Sequence, residues 1–272
     1  MSGAAFHFLR AAVAACGVFV VVFSARAAGV ESIDVEGTQF VAKLSDGRVL
    51  RSRDLIGATL SIATHGGMLR MRIDAVEPDP TVANGDVLLH TMSFQAQDGG
   101  WRNLCDAGPD GRRQGFPLKG RARADATIEP AEPGVFELTC TGGAQGKCVR
   151  FGYAPWGKTK DGADMLPFYN ACVRLVRADY SGDGRGTTRN GQRIDIYDDL
   201  GVQAKADDPK DVFEAGFAPE GAVCVNHARV PENVDLAALE KSVPRLAGRV
   251  GETCTEEFAR RQGATLFVRS PK

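Results

Sequence analysis

The chain lacks an excess of either charge: 33 Lys+Arg face 34 Asp+Glu over 272 residues, a formal net charge of −1. That balance excludes a polybasic nucleic-acid binder. With 43% hydrophobic and 25% charged residues, the composition also excludes a disordered or collagen-like chain. Past the first thirty residues there is no apolar run long enough to cross a membrane. The short-range signatures of several chemistries are missing. No C-x-x-C pair, H-E-x-x-H, C-x-x-C-H, G-x-S-x-G or S-x-x-K occurs. Internal repeats, low-complexity tracts and heptads are lacking too. What remains is enough apolar residue for one large domain or two small ones.

The N-terminus has the pattern of an export signal. Arg10 precedes the uncharged run Ala11–Phe23, too short for a spanning helix, and Ala25-Arg26-Ala27 fits a cleavage site. A cut after Ala27 is expected, giving a signal peptide over 1–27. An uncleaved anchor is disfavoured because Arg26 ends the run early. Lipoprotein anchoring through Cys16 is disfavoured because most of the apolar run follows that cysteine. Removal of Arg10 and Arg26 takes the formal net charge from −1 to −3. The mature chain is expected to be exported, periplasmic or extracellular, with no transmembrane anchor.

Of seven cysteines, six remain after cleavage: Cys105, Cys140, Cys148, Cys172, Cys224 and Cys254. An even number in an exported chain predicts three disulfides, and the sequence alone leaves fifteen connectivities open. Cys140 and Cys148 flank the glycine-rich bend Thr141–Lys147, which makes Cys140–Cys148 the leading pair. Zinc is disfavoured by the wide spacings.

Alternating segments at Ile33–Glu36, Phe40–Leu44 and Leu69–Ile73, punctuated by turn residues, predict an antiparallel sandwich or small barrel over 28–105. Residues 106–134 are rich in Gly, Pro and Arg and are expected to connect two parts. From 135 to 272 the expectation is a disulfide-linked, β-rich part with a few short helices. Strands are placed at Val135–Thr139, Lys147–Tyr153, Ile194–Tyr197, Ala222–Asn226 and Thr265–Arg269. Helices are placed at Leu166–Arg177, Val234–Val243 and Cys254–Gln262. The fold class is therefore mainly β, of the α+β kind.

Chemistry is thinly signalled. Asp179-Tyr180-Ser181-Gly182-Asp183-Gly184 sets oxygen side chains at alternate positions before a glycine, as calcium loops do. Asp179, Ser181 and Asp183 are weak calcium candidates, since Ser181 and Asn190 stand where that pattern has Asp/Asn and a bidentate Glu. A tight turn closed by Asp side chains is the plainer reading. A hydrolase would draw on Asp179, Asp183 or Asp195 near Tyr180 or Tyr197. The histidines left after cleavage, His65, His90 and His227, are widely spaced. Gly142–Lys147 departs from a phosphate loop, with Thr141 in place of the first glycine and Cys148 after the lysine. Arg112, Arg113, Lys119, Arg121 and Arg123 form a basic stretch with Phe116 alone inside it, more like a solvated loop than a nucleic-acid groove. Trp101, Trp156 and Tyr153 are candidate cleft aromatics, though core packing is the commoner use. No catalytic residue and no cofactor is assigned.

Two strings carry a resemblance: Lys147-Cys148-Val149-Arg150-Phe151-Gly152-Tyr153-Ala154-Pro155-Trp156, and the segment Ala171-Cys172-Val173-Arg174 onward through Ala178-Asp179-Tyr180-Ser181 to Gly184. With Ile194–Asp198, Gly221–Val225 and Pro244–Gly248, they resemble the bacterial ADYC domain family, strongest from about 101 to 260. Ser181 stands where the family's Ala-Asp-Tyr-Cys motif has cysteine. The resemblance implies an exported bacterial protein and no specific activity. It also implies a second family cysteine where this chain has Val243. If that pair is a bridge absent here, the Cα atoms of residues 181 and 243 are expected about 4.4–6.8 Å apart. The leading expectation is an exported, disulfide-stabilised protein that binds or builds rather than catalyses.

Overall fold

The computed structural model describes residues 29–64, 66–82, 86–206 and 208–272. The expected signal peptide, Cys16 and His65 lie outside the described residues. Among those described, no helix is long and apolar enough to cross a membrane.

The period-2 segments near the start form a three-stranded meander, β1 (Val30–Glu36), β2 (Gln39–Leu44) and β3 (Val49–Arg51). Next come β4 (Thr59–Thr64), β5 (Gly67–Pro78), β6 (Leu88–Gln95), β7 (Trp101–Asn103) and β8 (Gly115–Lys119). The short strands β9 (Arg121–Ala122) and β10 (Ile128–Glu129) pair with each other, and β11 (Phe136–Cys140) follows. A six-stranded antiparallel sheet runs in the order β11-β8-β6-β5-β4, with β7 also on β6. The meander and this sheet share one apolar core. Val35 and Phe40 meet Leu60, Met71, Ile73 and Met92 there. Alternation places these residues on one face, and their burial is the main stabilising term in this part.

Residues 106–134 are more than the connection expected. They supply β8, a strand inside the sheet, and Gly115 to Leu118 are all buried. The Gly/Pro/Arg composition belongs to the turns around that strand and hid it. Because β8 pairs with β11, the sheet continues across the expected boundary at 134.

Beyond β11, the chain forms α1 (Ala144–Arg150) and α2 (Leu166–Arg177). The strand expected over Lys147–Tyr153 is thus mostly helix. Cys148 and Val149 are buried side by side, whereas a half-buried strand would alternate them. A second sheet orders β12 (Asp195–Asp198), β15 (Leu266–Pro271), β13 (Asp211–Ala218) and β14 (Gly221–Val225) as β12-β15-β13-β14. The remaining helices are α3 (Leu236–Ser242) and α4 (Glu256–Arg261), each capped as its sequence suggests, by Asp235 and Thr255. The main core joins Leu89, Phe116 and Leu118 of the six-stranded sheet to Val173 and Leu175 of α2 and to Phe217 and Leu266 of the second sheet. A smaller cluster packs Ala259 of α4 against Val223 and Phe267. The molecule is mainly β, with few short helices, as expected.

All six described cysteines are bridged, as Cys105–Cys140, Cys148–Cys172 and Cys224–Cys254. The expected Cys140–Cys148 pair is corrected. The glycine bend turns a strand into a helix rather than closing a hairpin. Cys140 ends β11 beside β8, while Cys148 lies on α1 and faces α2. Glycine is required at two points nearby. A Cβ on Gly115 would collide with the Thr139 carbonyl, and one on Gly146 with the Cys140 carbonyl.

Candidate functional site

The Ala178–Gly184 segment is where the sequence pointed, and its first three residues, Ala178 to Tyr180, are buried. Ala178 ends α2 in the left-handed conformation (φ 51°), its N–H returned to the Arg174 and Leu175 carbonyls. The chain then turns inward. Both oxygens of the buried Asp179 carboxylate are occupied. They accept from the Gly182 N–H at 2.8 Å, the Gly184 N–H at 2.9 Å and Arg174 Nη1 at 3.0 Å. Gly182 and Gly184 both have positive φ, and a Cβ on Gly182 would collide with the Glu220 carbonyl. The segment is the tight turn of the plainer reading. A calcium ion would have to displace three hydrogen-bond donors from Asp179. Among the described residues, no three His, Cys, Asp or Glu side chains gather as metal sites do.

Tyr180 is equally committed. Its hydroxyl donates to Glu214 Oε1 at 2.8 Å and accepts from the Arg229 N–H at 2.9 Å. Arg229 in turn pairs with Glu214 through Nε at 3.0 Å and Nη2 at 2.9 Å. Its remaining donors reach the Leu175 and Val176 carbonyls in the last turn of α2, at 2.9 and 3.0 Å. Glu214 and Arg229 are completely or almost completely buried. Burial, with the Glu214 charge beside it, pushes the Tyr180 phenol well above its ordinary range. A buried pair this fully hydrogen-bonded fixes geometry: it ties α2 to β13 and to the segment after β14. Sequence reasoning missed Glu214 and Arg229. The available signal was a lone charge inside the apolar run Val212–Phe217.

Ser181, with Tyr180 before it, lines a cleft. That cleft, of about 650 Å³, lies between the 181–187 loop and α3. Ser181, Arg185 and Thr187 face Asp235, Ala238 and Ser242 across it. Ser181 Oγ donates to Asp183 Oδ1 at 2.7 Å. Burial opposes ionisation of Asp183, but hydrogen bonds from Arg185 and Ser181 outweigh it and bring its pKa down to about 2. Ser242 lines this cleft with Ser181, while Val243 is buried and is not part of its lining.

The other sequence candidates scatter. Asp195 accepts from the Ala206 N–H and shares no partner with Asp179 or Asp183. Tyr197 donates to Glu256 and stacks on Phe267. Tyr153 donates to Asp198, Trp101 holds the Arg72 guanidinium over its ring, and Trp156 packs by Gly37. None of these three aromatics lines the cleft at Ser181. His90 bonds Ser52 and His227 bonds Ser270, both within the interior. Most of the basic stretch is neutralised: Arg112 by Glu77 and Asp110, Lys119 by Asp34, Arg121 and Arg123 by Glu129. Phe116 is buried in the main core.

Fold and site together define a disulfide-stapled, mainly β domain whose motif residues serve as internal ties around open clefts. The family model of the ADYC domain matches residues 52–231, and the chain belongs to that family. The match starts at the turn before β4, spans β8 and both early helices, and ends ahead of α3. Searches of curated proteins and of solved structures found no match.

Proposed function

We propose that this protein is exported and acts by binding rather than by catalysis. Three covalent bridges suit an oxidising compartment, and the export pattern over 1–27 supplies a route to one. The observation that carries the non-enzymatic reading is the state of the motif carboxylate. Asp179 is fully buried, with both oxygens engaged by its own loop and by Arg174, which puts it out of a substrate's reach. Asp183 does stand beside the cleft at Ser181, and it is the one observation that favours a hydrolase. Its pKa near 2 makes it a weak base and, at neutral pH, a spent acid.

The deciding experiment expresses the whole chain in a bacterial host and fractionates the cells. Protein outside the cytoplasm, with the mass expected for cleavage after Ala27 and no free thiol, is the expected result. Full-length protein retained in the cytoplasm with reduced cysteines would overturn the export reading. Calcium added to the mature protein is expected to leave its melting midpoint unchanged, because Asp179 is already liganded by N–H groups.

A further inference from the structure

A second cleft, of about 450 Å³, opens between the glycine turn ahead of α1 and the loop leading to β12. Its walls are Gly142 and Gly143 on one side and Asn190 and Gly191 on the other. Lys147, Arg177, Arg189, Arg193 and Arg229 border it, and no Asp or Glu does. Three of these cations are already matched. Arg229 pairs with Glu214, Arg193 with Asp208 and Asp211, and Arg189 with Glu232.

Lys147 and Arg177 are different. Neither forms a salt bridge among the described residues. Arg177 donates through Nη2 to the Gly184 carbonyl, while its buried Nε has no acceptor. Lys147 is half-buried, and burial together with the Arg150 charge pushes its pKa down by more than the Asp110 charge raises it. A site with two cations at its rim that lack a salt bridge is one that an anion would stabilise. Phe151, Val176 and Ile194 border the same cleft and give it an apolar side.

We infer that this cleft binds a small phosphate monoester, its phosphate held by Lys147 and Arg177 and its organic part laid against Phe151, Val176 and Ile194. The inference rests on the binding-protein reading and names its ligand class. A phosphate monoester carries roughly −1.5 to −2 charges at neutral pH, which matches two free cations, whereas a carboxylate brings one. Arg offers a planar fork to phosphate oxygens and Lys a point charge, so the two are complementary donors. The volume suits a small organic molecule and is more than a bare phosphate needs.

Calorimetric titration of the mature, disulfide-intact protein with phenyl phosphate tests this. One saturable site per chain is expected, weakened about tenfold or more in Lys147→Gln and in Arg177→Gln. Lys43→Gln, an exposed residue of β2 paired with Glu31 and outside the cleft lining, is expected to change nothing. Arg177→Gln also removes a contact to the 184 loop, so Lys147→Gln is the variant that isolates the charge. No saturable binding, or equal affinity in Lys147→Gln, would overturn the inference. Benzoate binding as tightly as phenyl phosphate would overturn the phosphate assignment, and inorganic phosphate binding as tightly would overturn the ester. Capture on phosphatidate vesicles that is lost in Lys147→Gln would support the monoester and place its source in a lipid headgroup. Release of phenol from bound phenyl phosphate would leave the inference standing and overturn the non-enzymatic reading instead.

Discussion

The strands before Cys105 and the helix–sheet assembly after Cys140 are held together by different means. The first region has no cysteine among its described residues, and the carboxylate it buries, Asp79, finds its cation outside the region, in Arg150 of α1. Its core is apolar side chains from two antiparallel sheets, and its buried polar contact at His90 and Ser52 is neutral. The second region buries charge: Arg174 with Asp179 and Asp125, and Arg229 with Glu214. It also has the bridges Cys148–Cys172 and Cys224–Cys254 within it. The difference follows from chain geometry. Short hairpins satisfy their own backbone groups, so alternation of apolar residues is enough. The long loop from Asp179 to Gly191 cannot do so, and side-chain charges and covalent ties replace the missing ladder.

The strongest test of that contrast removes a buried charge. Arg229→Met leaves Glu214 buried without its cation and is expected to cost about 3–5 kcal/mol. Urea unfolding would measure it. Converting Glu214 as well, to Met, is expected to recover part of the loss, because the cost is that of a lone buried charge. A single variant that unfolds at the parent midpoint would show that the pair is dispensable, and the contrast would fail.

Next in size is the loss of a bridge. Cys148 and Cys172 are 24 residues apart, and removing the link with a double alanine variant is expected to cost about 3 kcal/mol through loop entropy. Hydrogen exchange sharpens the comparison. If the two regions are separate cooperative units, amides in α1 and α2 lose protection while those in β4 to β6 keep theirs. Uniform loss across both would merge them into one unit, which the shared main core also allows.

The first region has its own pH signature. Burial depresses the His90 pKa from 6.5 to about 4 in the folded chain. The folded state therefore favours neutral His90, and the stabilisation is complete above pH 6.5. It declines as the pH falls through the window from 6.5 to about 4, by at most about 3 kcal/mol. His227 is shifted in the same direction, also by burial, and adds to the slope. His90→Asn is expected to flatten the stability curve in this window without abolishing the slope. An unchanged slope would place the titrating group elsewhere.

Legibility in the sequence follows the same division. In the first region the alternation at Ile33–Glu36 and Phe40–Leu44 was enough to place strands, because period 2 has one structural solution on a half-buried sheet. The helix at Leu166–Arg177 was legible from its own apolar pattern. Strand β8 was hidden by its Gly and Pro, which sit inside a sheet where composition suggests a loop. Residues Lys147–Tyr153 were misread as strand because a seven-residue helix shows barely two turns of period. The disulfide map and the Glu214–Arg229 pair depend on contacts between distant segments, and no local pattern encodes those. The motif itself was visible, but not its role: Asp179 and Tyr180 look like surface chemistry until their partners, Gly182, Gly184, Arg174 and Glu214, are in place. The cation-lined cleft escaped for the same reason, since Lys147 of α1 and Arg177 of α2 are thirty residues apart and line one cleft only in the folded chain.

The smallest predicted effect concerns α3, which walls the cleft at Ser181. Asp235 caps this seven-residue helix by accepting from the Ala237 N–H at 2.9 Å and, more weakly, from Ala238 at 3.5 Å. The helix buries little else besides Leu239, so its own propensity and its cap matter more than for a core helix. Asp235→Ala is expected to cost about 1 kcal/mol. If α3 frays independently, that loss shows as faster exchange of the 237–243 amides and a global midpoint that barely moves. If instead the midpoint falls as far as it does on losing the Cys148–Cys172 bridge, α3 belongs to the global unfolding unit. The cleft at Ser181 would then be a rigid wall rather than an adjustable one, and any partner entering it would have to fit the closed shape.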